Sequence, residues 1–340
     1  MGLLNFFVQD LGIDLGTANT IIIYNDEIVV EEPSIIAIDS TNGKVIAIGS
    51  QARLMHGKTH EKIKTIRPLK DGVIADFNAC ELMLRGMIGM VTKKKTLFSP
   101  HLRMVICIPS GITEVEKRAV KDSAEKAGCK EVKLIHEPMA AALGIGIDVE
   151  EPMGSMVIDI GGGTTEIAVI ALGGIVCDQS IRVAGDKFNM DIIEYMRREH
   201  NVMIGEPTAE RIKIEVGSAL PDLDNPPSDY LASGRDLMTG IPKQVAVSYT
   251  EIAQTLDKSL TQIEEAILKV LELTPPELSG DIYKVGLFLT GGGALLRGLA
   301  KRISDKNKLS VHVAEDPLRA VARGTGIALK NMNKFKFLIS

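Results

Sequence analysis

At 340 residues the chain is longer than one hydrophobic core usually spans, so two domains are expected. Its composition, 45% apolar and 24% charged, is that of an ordinary globular protein, and a net charge of −5 argues against a general nucleic-acid binder. Cys80, Cys107, Cys129 and Cys177 show no CxxC spacing and no histidine cluster, which argues against a zinc site or disulfide framework.

The opening MGLLNFFVQD is apolar but lacks the basic region and small-residue cleavage site of a secretory signal, and no run approaches the roughly 20 apolar residues that span a bilayer. Residues 12–24 and 27–38 read as a hairpin turning at Asn25 and Asp26, with IIAI and VIAI as further strands. MVICIPSG (104–111) reads as a buried strand. TEVEKRAVKDSAEKAG follows as a helix, with Thr113 and Glu116 at capping-box spacing and Gly128 as its stop. VKLIHEPMAAALGIGI places a strand before a helix of small residues.

The second half opens on IDIGGGTTEIAVIALGGIV (158–176), which repeats the pattern of IDLGTANTIIIYNDEIVV (13–30). Both have an Asp in an apolar run, a Gly, small hydroxyl-bearing residues, an apolar run, a turn, and a second strand-like run. An internal duplication would account for this, the alternative being coincidence between two glycine turns. DKFNMDIIEYMRREH and TAERIKIEVGSA read as helices, the second with Thr208 as candidate N-cap, and PDLDNPPSD reads as a loop. The stretch from Tyr249 to Leu273 has apolar residues at helical spacing and stops at Pro275 and Pro276. VGLFLTGGGALLRGLAKRI is a strand, a glycine turn and a helix, and DPLRAVARGTGIALKN is a final helix.

Glycine turns after strands expose backbone N–H groups that can cradle phosphate. Gly16, Thr17, Ala18 and Asn19 form one such turn, helped by the hydroxyls of Thr17 and Thr20, and Gly161 to Thr165 form the other. Two matched turns suggest jaws on one polyphosphate. Asp14 and Asp159 sit in apolar runs, where an unpaired carboxylate is costly. Each either ties down its own turn or, as the matched pair favours, holds Mg²⁺ through the ion's retained waters. Gly291, Gly292 and Gly293 join another strand to a helix, either to admit a base or ribose closely or for backbone reasons alone. Neither the GxGxxG nor the GxxxxGK[ST] pattern occurs at these turns. The six histidines show no spacing suggestive of a ligand set, and His136 reads as a packed neighbour of Glu137.

Taken together, and in this order, Asp14-Leu15-Gly16-Thr17, Asp159-Ile160-Gly161-Gly162-Gly163-Thr164 and Thr290-Gly291-Gly292-Gly293 resemble the actin, Hsp70 and sugar-kinase superfamily of ATPases, from about residue 11 to about 330. IDLGTANT, IPSGITEVEKRAV, HEPMAAALG, AGDKFN, ERIKIEVGSA and EDPLRAVARGTG resemble the MreB family of bacterial actins within it. The resemblance implies an α/β actin-like ATPase fold of two related lobes, each with a smaller outer subdomain, around a cleft for ATP or ADP with Mg²⁺. It places lobe I at 1–145 (outer part about 33–75), completed by a C-terminal helix at about 325–340, and lobe II at 146–324 (outer part about 181–250).

It assigns phosphate contacts to Gly16, Thr17, Ala18 and Asn19 and to Gly161, Gly162, Gly163 and Thr164, and an adenosine pocket to Glu210, Arg211, Lys213, Gly291, Gly292, Gly293 and Ala294. Glu137 would orient the attacking water, assisted by Thr164 or Thr165; its alternative role is to cap the following helix. Asp186 would be either a phosphate-proximal acid or an ordinary N-cap.

The implied function is slow ATP hydrolysis coupled to head-to-tail filaments, paired as protofilaments, at the inner face of the cytoplasmic membrane. There they would guide the cell-wall elongation machinery and maintain rod shape. Leu3, Leu4, Phe6 and Phe7 form a candidate interfacial segment, and Leu97 and Phe98, after Lys93, Lys94 and Lys95, a second candidate anchor. The alternatives within the superfamily are a chaperone ATPase and a small-molecule kinase.

Overall fold

The computed structural model describes residues 8–91 and 101–339, so the candidate membrane residues Leu3, Leu4, Phe6, Phe7, Leu97 and Phe98 lie outside the described residues. The first half contains β1 (Val8–Leu15), β2 (Asn19–Tyr24), β3 (Glu27–Pro33), β4 (Ile36–Asp39), β5 (Val45–Ile48), α1 (Ser50–Met55), β6 (Ile63–Ile66), β7 (Leu69–Lys70), β8 (Val73–Ile74), α2 (Phe77–Val91), β9 (His101–Ile108), α3 (Glu114–Lys126), β10 (Cys129–His136) and α4 (Glu137–Gly144). The second contains β11 (Ser155–Ile160), β12 (Thr165–Ala171), β13 (Gly174–Ile181), α5 (Gly185–His200), β14 (Val202–Met203), α6 (Glu206–Val216), β15 (Tyr230–Asp236), β16 (Pro242–Val247), α7 (Tyr249–Leu273), α8 (Pro276–Val285), β17 (Leu287–Thr290), α9 (Leu299–Asn307), β18 (Val311–Val313) and α10 (Ala320–Lys330).

Two five-stranded sheets carry the core, in the orders β3-β2-β1-β9-β10 and β13-β12-β11-β17-β18. Each has two antiparallel pairings from its opening hairpin, then two parallel ones. The same path is therefore traced twice, which is the structural form of the repeated sequence pattern. Smaller three-stranded sheets, β5-β4-β6 and β14-β15-β16, accompany the first and second large sheet respectively.

Every residue of β11 and β12 is buried, which explains why SMVIDI and TEIAVIA run apolar on both faces instead of alternating. The capping boxes Thr113–Glu116 and Ser248–Glu251 fix the starts of α3 and α7. Along α7, Ile252, Leu256, Leu260, Ile263, Ile267 and Val270 form the buried stripe.

Three boundaries differ from the sequence reading. Helix α6 starts at Glu206, with Gly205 as N-cap, so Thr208 lies inside it; Pro207 is tolerated because the first-turn N–H groups need no intrahelical acceptor. Pro276 ends α7 but also opens α8, for the same reason. The third glycine cluster leads into a 3₁₀ turn at Gly292–Leu295, and α9 begins only at Leu299.

Helix α10 packs against α4 so closely that backbone meets backbone. A Cβ on Gly324 would lie 1.7 Å from the Ala140 carbonyl oxygen, and one on Gly144 would lie 1.8 Å from that of Ala320. The alanines Ala140, Ala141 and Ala142 are buried at this crossing. The C-terminal helix is thereby locked onto the helix that begins at Glu137. Gly324→Ala should destabilise the protein by about 3 kcal/mol, the upper part of the overpacking range, because the obstruction is main chain and cannot rotate away. Urea unfolding measures this, and a loss below about 0.5 kcal/mol, the size of an ordinary surface change, would refute the close crossing.

Candidate functional site

The duplicated sheets point the ends of their first strands into one cleft of about 700 Å³. Asp14 and Asp159 each occupy the penultimate position of a strand, β1 and β11, and each is followed after one residue by a glycine turn. Gly16, Thr17, Ala18 and Asn19 line the cleft from the first turn, and Gly161, Gly162, Gly163 and Thr164 from the second. The turns nearly touch: a Cβ on Gly162 would lie 2.7 Å from that of Ala18, and one on Gly163 would lie 2.5 Å from the Thr17 hydroxyl.

Gly161 N–H donates to the Thr164 carbonyl at 2.9 Å, closing its own turn. The N–H groups of Thr17, Ala18, Gly162, Gly163 and Thr164 have no partner among the described residues. Such facing donors suit a chain of phosphates. The carbonyls of Gly161 and Gly162 accept from Gly185 N–H (3.1 Å) and Asp186 N–H (2.7 Å), which pins the second turn to the start of α5.

A third segment completes the closed end. The β7–β8 hairpin turns through Asp71 and Gly72, both at positive φ, and Gly72 N–H donates to the Thr17 hydroxyl at 3.0 Å. A Cβ on Gly72 would meet Thr164 Cγ2 at 2.8 Å, so this position requires glycine twice over.

Asp14, Glu137 and Asp159 also line the cleft. Burial, then the charge of Asp159, pushes the Asp14 carboxyl up to about 7. Burial, opposed by a 2.9 Å bond from the Thr290 hydroxyl and reinforced by Glu166, pushes Asp159 up to about 6. Thus Asp159 is held by the last residue of β17, just before the third glycine turn, and not by its own turn. Burial and the charges of Glu166, Asp159 and Asp14 raise Glu137 well above the ordinary range. Glu166, wholly buried behind them, accepts from Ser110 (N–H at 3.0 Å, hydroxyl at 2.5 Å) and from the Ser180 hydroxyl at 2.6 Å.

Hard carboxylate oxygens crowded this way fit a divalent cation held through water. Among the described residues, no three acidic, His or Cys side chains converge to hold a metal directly.

On the other wall, Glu210 accepts from Lys213 (2.9 Å) and Asn189 (2.7 Å), and Lys213 also donates to the Gly185 carbonyl at 3.1 Å. Burial opposes ionisation of Glu210, but Lys213 and Asn189 hold its carboxyl below the ordinary range. Phe188, Ile214, Leu295, Leu296, Leu318 and the glycines Gly291, Gly292 and Gly293 supply an apolar surface beside this pair, as a base requires.

Several expected residues stand elsewhere. Thr165 donates its hydroxyl to the Val183 carbonyl at 2.6 Å and does not line the cleft. Arg211 is exposed and Ala294 buried, both outside the lining. Thr20 is buried against Ser34, whose hydroxyl braces the Gly16 carbonyl at 2.6 Å. Asp186 lines the cleft, but both its oxygens accept from Arg67, at 2.7 and 3.0 Å. His136 faces a separate cavity with Ser110, Met139 and Asp178.

The sequence reading missed Ser50, Arg53, Arg67 and Gly72. Ser50, Arg53 and Gly72 line the cleft, and Ser50, Arg53 and Arg67 stand in none of the three strand-end glycine turns singled out in the sequence. The Asp71-Gly72 pair, a turn signal between short strands, could have revealed the hairpin.

The MreB/Mbl protein family profile matches residues 8–337. The chain is 49% identical over 329 residues to the cell shape-determining protein Mbl of Bacillus subtilis strain 168, covering 96% of this chain and 98% of Mbl. It is 48% identical over 329 residues to the cell shape-determining protein MreB of Escherichia coli K12, covering 95% and 94%. The crystal structure of MreB5 of Spiroplasma citri bound to AMPPNP superposes with a TM-score of 0.90 at 39% identity, over 96% of this chain and 97% of that one. A second crystal structure of MreB5 is bound to ADP. The fold is therefore the two-lobed α/β fold of the actins, and the chain belongs to the MreB/Mbl family.

Proposed function

We propose that this protein is an ATP-hydrolysing bacterial actin whose nucleotide state controls head-to-tail assembly into filaments. The filaments would lie on the inner face of the cytoplasmic membrane, organise peptidoglycan synthesis and maintain rod shape. The observation that carries this reading is the pair of facing turns with unpartnered N–H groups, set beside carboxylates in one cleft. Family membership supports it, as do relatives named for cell-shape determination and a relative solved with AMPPNP and with ADP. The same membership favours the filament over a chaperone or small-molecule kinase.

In this reading Gly16–Asn19 and Gly162–Thr164 grip the phosphates, while Glu210, Lys213 and the third glycine turn receive the nucleoside. Asp14 and Asp159 would hold Mg²⁺. The ion, when bound, supplies charge neutralisation at the phosphates. Glu137, at the first position of α4, accepts a hydrogen bond from the attacking water and keeps it in line. Ionised, a carboxylate with a raised pKa is a stronger proton acceptor than an ordinary one.

Replacing Glu137 by Ala should leave Mg²⁺-ATP binding within a few-fold and cut phosphate release by about a hundredfold, within the usual range for a positioned proton acceptor. Equal turnover in both proteins would remove Glu137 from this role.

The buried acids predict a pH dependence. With a folded pKa raised to about 7 from 3.8, Asp14 binds more protons in the native than in the unfolded state over that window. Its contribution is therefore fully present below 3.8 and lost as pH rises through about 7. In nucleotide-free protein, Asp14→Asn should raise the melting temperature by about 3 °C or more at pH 8 and change it little at pH 4. Scanning calorimetry at both pH values decides this, and a gain at pH 4 equal to that at pH 8 would contradict the buried-charge account.

With Mg²⁺-ATP and anionic liposomes, negative-stain microscopy should show filaments on lipid. Deletion of the first eight residues or Leu97→Ser/Phe98→Ser should detach them. Monomers throughout, with ATP still hydrolysed, would overturn the filament reading.

A further inference from the structure

The small sheet β5-β4-β6 is continued by Arg67, which reaches the second half of the molecule at two places. Its guanidinium donates to both oxygens of Asp186, at 3.0 and 2.7 Å, and pairs with Glu206. These acids sit in the first turns of α5 and α6, where the helix dipole also favours them. The same guanidinium lies 3.4 Å from the Thr17 carbonyl of the first glycine turn. Glu206 is approached a second time from the first half: His56, the residue after α1, stands 3.6 Å from its other oxygen.

This cluster has a particular place relative to the cleft. One part of the cleft wall is α1, through Ser50 and Arg53; the facing part is α6, through Glu210, Lys213 and Ile214. Helix α1 packs on β4, β5 and β6, so Arg67 and His56 couple the unit carrying one wall to the first residue of the helix that forms the other. The side chains are only 23% (Arg67), 26% (Asp186) and 37% (Glu206) exposed, so their bonds are partly shielded from water and salt. Beyond Pro68 the chain runs directly into the Asp71-Gly72 turn, whose Gly72 N–H holds Thr17. Residues 67–72 thus form a strap across both glycine turns, fastened at one end by Gly72 and at the other by Arg67.

We propose that Arg67 is the clasp of this cleft, holding its two walls together through Asp186 and Glu206 and so setting the rate at which nucleotide leaves. The inference rests on the nucleotide reading above. It also gives Asp186 a role different from phosphate contact: both its oxygens are engaged by Arg67, so it serves as an anchor for the strap. Separation of α1 from α6 requires these charge-assisted bonds to break, whereas the phosphate grip of the glycine turns is built from other atoms.

The experiment is displacement of Mg²⁺-bound mant-ADP by excess ATP, followed by stopped-flow fluorescence, in the full-length wild-type protein, Arg67→Gln, Glu206→Gln and the double variant. Release should accelerate at least fivefold in Arg67→Gln and by a smaller factor in Glu206→Gln. The double variant should release within twofold of Arg67→Gln, because both changes break the same link. Rates within twofold of wild type in both single variants would overturn the clasp, as would effects that multiply independently in the double variant. If Arg67→Gln does not fold, Glu206→Gln decides by itself, with release unchanged counting against the proposal. A wild-type protein that does not bind mant-ADP would instead overturn the nucleotide reading, and the clasp with it.

Discussion

The structure is organised around a cluster of carboxylates that burial and one another's charge make costly to ionise. Asp14, Glu137 and Asp159 meet at the closed end of one cleft with Glu166 behind them, and burial together with mutual repulsion raises the first three. Uncompensated carboxylates at such depth are expensive, and the native state meets the expense in part by holding protons. Glu166 is hydrogen-bonded by donors from Ser110 and Ser180. Asp159 is eased by one hydroxyl, and the carboxylate of Asp14 has no hydrogen-bond partner among the described residues. The gradient of satisfaction runs from the back of the site to its mouth, so the acids least satisfied by the protein are those that face the cleft.

Around that point the fold repeats itself. A strand, a tight turn and an antiparallel return, followed by two parallel strands, occur in each half with the same order. Because an Asp occupies the penultimate position of each first strand, duplication alone brings two carboxylates and two sets of backbone donors to one interface. The third turn, at Gly291, is tied to the second: a Cβ there would lie 2.6 Å from the Asp159 carboxylate. The backbone of this turn thereby packs directly against the acid at the end of β11.

The helices tie this chemistry to the rest of the fold. Glu137 opens α4, and α4 is pressed backbone to backbone against α10. Displacement of α10 is therefore transmitted to the helix that carries the candidate water-orienting acid, since close-packed backbones cannot absorb it by side-chain rotation. On the far side of the cleft the contacts between halves are ionic and partly exposed. One side is consequently stiff and the other can be undone, an asymmetry suited to opening and closing around a ligand.

Much of this was legible in the residues themselves. The glycine turns, their aspartates, the duplicated hairpin and the capped helices α3 and α7 are local features, each specified within a few neighbouring residues. Glu137 and the Glu210–Lys213 pair could be placed through the family pattern. What the sequence did not disclose depends on residues brought together from far apart. Arg67 meets partners 119 and 139 residues away, and nothing in its own neighbourhood marks it. Thr165 and Thr164 look alike in the chain, but alternation along the strand turns the Thr165 hydroxyl to the Val183 carbonyl and away from the cleft. Thr20 is drawn to Ser34 in the same way. The sequence determined where the glycine turns form and which acids accompany them, because turn geometry and strand pattern are written locally. Tertiary structure alone decided which side chains face the cleft and which are spent holding it together, because that depends on which distant donor or acceptor each one meets.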